Sequence, residues 1–288
     1  MPERYAIVTD SGADLPRELL TQLDVISLPL EIHLESGETR LDGEMDPKAL
    51  YARLRAKETI RTSSVNEERF FQGFLPHLEA GKDILYIGFS SALSATFAAG
   101  ERAARELRHR YPKRKILTVD SLCASLGEGL LVTRAARARE AGESIDALHA
   151  RLFKERRRIL HEFTVSDLFF LKRGGRVSSA SAVLGSLFSV KPVMYVDNEG
   201  KLVKRSTVRG RRASLLALFE RMKQNAAFSE EKTVYISHGD CYEDALFLKS
   251  MIEEEYPEVT VTVGYVGAVI GSHSGPDTVA LFYYGNER

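Results

Sequence analysis

Hydroxyl side chains gather at four places in this chain where an apolar run gives way to a helical pattern. Val8-Thr9-Asp10-Ser11, Ile87-Gly88-Phe89-Ser90-Ser91 and Thr118-Val119-Asp120-Ser121 each follow a short apolar run. Thr62-Ser63-Ser64 stands just before a helical pattern from Glu67 to Leu78. Serine and threonine donate hydrogen bonds without bringing charge, and the free N–H groups of a helix N-terminus favour an anion. Several such turns brought together would hold an anionic group. Taken singly, each reads as an ordinary helix cap.

A second constellation is Gly271-Ser272-His273-Ser274-Gly275-Pro276, which reads as a tight loop. Its histidine either presents a ring to a ligand or serves the structure. A third is basic: Lys172-Arg173-Gly174-Gly175-Arg176, with Arg205, Arg209, Arg211 and Arg212 further on. Glycines with cations can cradle a phosphate, but the spacing is not that of a Walker loop. A solvated face or a surface for an acidic partner are the other readings. No G-x-S-x-G, H-E-x-x-H or C-x-x-C pattern occurs, and no G-x-G-x-x-G follows the first apolar run. Neither a nucleophile elbow, a dedicated metal site nor a dinucleotide fold is therefore expected.

The elements that must position these residues alternate between strand and helix. Tyr5–Thr9, Val25–Leu34, Ile84–Gly88 and Ile116–Val119 read as strands. Asp14 with Pro16, and Asp46 with Pro47, read as helix starts. Such alternation predicts an α/β domain with a mainly parallel sheet, whose ligands collect beyond the strands' carboxyl ends. Past Phe163 the texture changes to a hairpin, Val190–Val196 with Lys201–Thr207, and then to two β-rich stretches, Val259–Val266 and Thr278–Tyr284. The expected division is an N-terminal α/β domain, residues 1–161, and a C-terminal α+β domain, residues 162–288. Forty basic and forty acidic side chains cancel, so no global field recruits nucleic acid or membrane. Two cysteines and a start without an apolar signal core predict a cytoplasmic protein with no integral membrane segment.

Taken in order, these segments resemble the DegV family, whose members bind fatty acids in bacteria. The resemblance is carried by Ile7–Pro16, Thr62-Ser63, Ser90–Thr96, Val119-Asp120-Ser121, Leu171–Ser178, Lys191-Pro192, Val208-Arg209 and His273–Pro276. It implies two α/β domains with a lipid tunnel between or within them. It also implies one long-chain fatty acid such as palmitate or oleate as ligand, with no cofactor and no catalysis by this chain. The carboxylate contacts it implies are Thr62, Ser63, Ser91, Ser94 and His273. Arg209 and Arg212 would face an ATP-dependent fatty acid kinase that makes an acyl phosphate. The chain departs from the family pattern at Ser64-Val65, at Ala92 and Ala95, and at Asp277, an acid that would raise the carboxylate's pKa if it pointed inward. The tunnel lining is expected from Phe163–Phe170, Ala180–Phe188 and Val263–Ile270. The competing reading is a serine hydrolase using Ser91 or Ser94 with His273 as its base.

Overall fold

The computed structural model describes residues 5–177, 189–286 and 288. Its first sheet is parallel and four-stranded, built from β1 (Ala6–Asp10), β2 (Val25–Leu28), β6 (Ile84–Gly88) and β7 (Ile116–Asp120), in the order β2-β1-β6-β7. Every residue of β1 and β6 is buried, as expected for strands covered on both faces. Helices α3 (Glu67–Glu79) and α4 (Thr96–Arg110) cover one face. Helix α5 (Leu126–Glu140) covers the other and also packs on the second sheet. That double burial explains why its first half, Leu126-Gly127-Glu128-Gly129-Leu130-Leu131-Val132, carries no polar stripe and is buried throughout.

The second sheet is mixed and six-stranded, in the order β10-β9-β8-β13-β11-β12. Its strands are β8 (Ile159–Thr164), β9 (Val190–Val196), β10 (Leu202–Arg209), β11 (Thr233–His238), β12 (Thr260–Tyr265) and β13 (Val279–Tyr284). Helices α8 (Arg211–Asn225) and α9 (Tyr242–Glu255) close its outer face. A small antiparallel sheet joins β3 (Glu31–His33), β4 (Thr39–Leu41) and β5 (Arg61–Ser63). Two short helices complete the site region: α7 (Phe169–Arg173) and α10 (Ala268–Ser274).

Several expectations are corrected. The stretch Val25–Leu34 is two strands, because Pro29 lacks the N–H that would continue the ladder. Asp14 does not cap the N-terminus of the next helix, Arg17–Gln22, whose N-cap is Pro16. Its left-handed backbone (φ 51°) closes the turn Ser11–Ala13, and its carboxylate is turned inward, accepting from Ser125 Oγ. Asp46 does cap α2 (Pro47–Arg55), accepting from Ala49 N. The loop expected around His273 is helix α10, ended by Gly275 at φ 82°. Residue 161 lies within β8, which pairs without a break along β13. One hydrophobic cluster also runs from Ile7 and Ile87 through Leu130 to Phe163 and Phe282, so the two halves share a core.

Candidate ligand cavity

The loops after β6 and β7 face the inner side of the six-stranded sheet across a cavity of about 370 Å³. That volume lies in the range of small-molecule sites. Its walls are mostly apolar: Leu30, Phe89 and Leu93 on one side, Phe163, Ala280 and Phe282 on the other. Of the lining expected from the sequence, Phe163 and then Val266, Val269 and Ile270 are in place. Ala180–Phe188 lies outside the described residues.

Polar groups enter this wall from four separate segments. Thr62 and Ser63 come from β5, Ser94 from the β6–α4 loop, His273 from the last turn of α10, and Arg176 from the turn after α7. Thr62 Oγ1 lies 2.8 Å from His273 Nε2. Ser63 Oγ lies 2.6 Å from His33 Nε2. Ser94 Oγ accepts from Thr96 N at 3.2 Å and shares a 2.9 Å bond with Thr96 Oγ1, directly at the N-terminus of α4. The N-cap residue is Ala95, which has no polar side chain to cap with; Ser94 takes the first N–H, and the partial positive charge of the terminus adds to the polar end of the cavity.

Burial, reinforced by the Arg176 and Arg173 guanidinium groups, lowers His273 to a pKa of about 4. The ring is therefore neutral at physiological pH and offers one donor and one acceptor. Gly174, which ends α7, lies flat against this ring: a Cβ there would come within 2.3 Å of Nδ1. Arg176 is half-buried, donates to the carbonyls of Leu93 and Gly174, and has no carboxylate within ion-pair distance among the described residues. A lining cation without an internal counterion attracts an anionic ligand. Sequence reasoning assigned Arg176 to a basic turn; the signal it passed over was the Gly174-Gly175 pair, which lets that turn approach α10.

The other expected contacts go elsewhere. Ser91 is exposed, is absent from the cavity lining, and bonds through N and Oγ to Asp120. Asp10 and Asp120, at the ends of β1 and β7, tie loop backbone rather than face the cavity, since Asp10 accepts from Gly12 N, Phe89 N and Tyr86 Oη. Asp277 pairs with Arg55 at 3.0 Å and does not line the cavity. The serine–histidine pair of the hydrolase reading is not formed, because the partner of His273 is Thr62. Arg209 is exposed at the end of β10, and the Arg212 guanidinium stacks 4.0 Å over the Phe247 ring.

Helix α10 is fastened from the other half of the molecule. Asp42 accepts from Ala268 N at 3.1 Å and from Ser11 Oγ at 2.8 Å. Asp14 lies beside Gly267, where a Cβ would come within 2.3 Å of its carboxylate. Burial raises both acids above the usual carboxylate range. Five lining residues, from Val266 to Ser274, depend on this anchorage. Among the described residues no group of three or more His, Cys, Asp or Glu could hold a metal ion, and no helix is long and apolar enough to cross a membrane.

Comparison with known proteins agrees with this geometry. The model of the DegV family, described as an uncharacterised protein family, matches residues 4–286. A DegV domain-containing protein of Clostridium perfringens is 41% identical, with 99% of each chain covered. Among solved structures, a fatty-acid-binding DegV family protein from Thermus thermophilus superposes with a TM-score of 0.87 at 32% identity, covering 98% of this chain and all of that one. DegV of Bacillus subtilis, described as a fatty acid binding protein, gives 0.85 at 27% identity, covering 99% and 100%. A family match over almost the whole length, a close relative and an amphipathic cavity at the sheet ends together establish that this chain belongs to the DegV family.

Proposed function

We propose that the protein binds a single long-chain fatty acid, such as palmitate or oleate, in this cavity. Thr62, Ser63, Ser94 and His273 hold the carboxylate, with Arg176 as its nearest cation, and the acyl chain lies along the Phe163 and Phe282 wall. The observation that carries the reading is the cavity itself. Its walls are apolar except for hydroxyls, the neutral imidazoles of His161 and His273, and an arginine with no counterion among the described residues. Fatty acid binding by the Thermus thermophilus and Bacillus subtilis relatives supports it. A tail of roughly fifteen methylenes at ~0.8 kcal/mol each offers on the order of 10 kcal/mol on burial, part of it lost to association entropy. The tail supplies affinity, and the polar end supplies orientation.

In this reading the chain is a cytoplasmic carrier that presents its fatty acid to an ATP-dependent kinase for acyl-phosphate formation. The exposed Arg209 and Arg212 form the contact face. Ser91 is not part of the clamp, because its hydroxyl is engaged by Asp120. Mass spectrometry of an organic extract from the purified native protein tests the reading. A stoichiometric long-chain fatty acid is expected. An extract without one, together with no uptake of added palmitate or oleate, would refute it.

A further inference from the structure

Helix α10 carries a second polar side chain at the end of the helix that holds His273. Ser274 is only 5% exposed and lines the cavity, yet its Oγ is buried without a hydrogen-bond partner among the described residues. Neighbouring hydroxyls are satisfied. Ser272 Oγ donates to Ala268 O at 2.7 Å, Thr278 Oγ1 donates to the carbonyls of Ser274 and Gly275, and Ser125 and Ser237 share a 3.1 Å bond. Ser274 thus lacks even the bond one turn back that Ser272 makes within the same helix. A buried hydroxyl left unpaired is destabilising, and it is retained here on a wall that a ligand would touch.

The helix repeat places this hydroxyl along the cavity. Val269 and His273 are four apart and form one row on the cavity face, while Ile270 and Ser274 form the adjacent row. Consecutive residues rise by ~1.5 Å along a helix, so Ser274 stands level with the imidazole, beyond the apolar Val269 and Ile270. Its donor therefore belongs to the polar end of the cavity, not to the stretch that takes the tail.

We propose that Ser274 is a further head-group residue, donating its hydroxyl to an oxygen of the bound carboxylate. The proposal rests on the fatty-acid reading. Thr62 engages His273 from the side of β5, and Ser274 meets the ligand from the adjoining row of α10. A carboxylate has two oxygens and about four acceptor positions; Thr62, Ser63 and Ser94 already share bonds with His273, His33 and Thr96, whereas the Ser274 hydroxyl has no partner among the described residues.

The test compares Ser274→Ala and Ser274→Thr with the wild type, measuring palmitate affinity by titration and the melting temperature of delipidated protein. Ser274→Ala is expected to weaken palmitate binding about tenfold or more, as loss of a hydrogen bond to a charged group does. The delipidated variant should melt no lower than wild type, because the change removes an unpaired buried donor. Ser274→Thr, which keeps the hydroxyl, should restore most of the affinity. Equal palmitate affinity in Ser274→Ala and wild type would overturn the proposal. So would an affinity loss matched by a fall in delipidated stability. Failure of the wild type itself to bind palmitate would refute the fatty-acid reading, and this proposal with it.

Discussion

Replacing Gly174 by alanine separates the packing of His273 from the backbone that supports it. Gly174 ends α7 with φ −72° and ψ −11°, an ordinary right-handed conformation open to any residue. From the backbone alone, alanine should stabilise the protein by ~0.4–1 kcal/mol through the unfolded chain. The neighbouring ring predicts otherwise. A Cβ at 174 would stand 2.3 Å from His273 Nδ1, where ordinary contact begins at 3.4 Å, so the imidazole must retreat by about 1 Å. The 2.8 Å bond to Thr62 does not survive such a shift, at a cost of ~0.5–1.5 kcal/mol. The two effects nearly cancel in stability, and the melting temperature should move little. Affinity has no such compensation, because a displaced His273 loses its bond to the carboxylate. A loss of ~1.5–3 kcal/mol corresponds to roughly 10- to 100-fold weaker palmitate binding. Gly175→Ala is the contrast: its φ is +73° with open space around it, so strain should cost ~1–2 kcal/mol in stability and leave affinity intact. Calorimetric titration with palmitate and thermal melts of both variants read this out. Wild-type affinity in Gly174→Ala, with melting raised as the backbone alone predicts, would refute the role given to the ring.

Two further outcomes follow from the buried acids. Asp42→Ala removes the acceptor that holds the N-terminus of α10 and should cost ~1–2 kcal/mol in urea denaturation. It should also weaken palmitate binding although Asp42 is not in the cavity lining; unchanged affinity would mean that α10 keeps its place without this anchor. Burial pushes Asp10 up to about 6 and Glu162 up to about 7, and raises Asp14, Asp42 and Glu128. Each folded pKa then exceeds its unfolded value, so stability falls as pH rises from about 4 to about 7. His273, depressed to about 4, and His77, His161 and His238, also lowered by burial, oppose this below their unfolded value of about 6.5, while the raised acids go on losing stability above it. Denaturation midpoints should be higher at about pH 5.5 than at about pH 8, and Asp10→Asn should reduce the difference. A midpoint that rises across this window would contradict the direction assigned to these acids.

Local signals were legible where one residue's own chemistry decides. The Asp46-Pro47 helix start, the parallel strands ending at Gly88 and Asp120, and the hairpin at Asn198–Gly200 all follow from caps, apolar runs and turn residues. What escaped depends on distant partners. Ser91 and Ser94 are three residues apart in one hydroxyl-rich loop, yet one turns to Asp120 and the other to the cavity. The Asp14 cap failed because Ser125, more than a hundred residues away, takes its carboxylate inward. The sequence leaves Arg176 open between a phosphate cradle, a solvated turn and a partner surface, because nothing local reveals that Gly174 docks its turn against His273.

The same dependence bears on what the cavity can do. Its polar end is assembled from β5, the β6–α4 loop, α10 and the turn after α7, which no short stretch of chain could bring together. Each group there suits holding an anion better than transforming a substrate. His273 is neutral and spends Nε2 on a threonine rather than on a serine nucleophile. Ser94 is tied to the first turn of a helix, where its hydroxyl is oriented but not activated. Arg176 supplies charge with no carboxylate among the described residues to neutralise it. In the proposed reading such a site lowers the cost of burying a carboxylate without attacking it, as a carrier would need for its ligand to leave chemically intact. The buried Asp14 and Asp42 set the limit on this arrangement: they secure α10 from the opposite half, so the grip on the head group is only as firm as the contact between the two sheets.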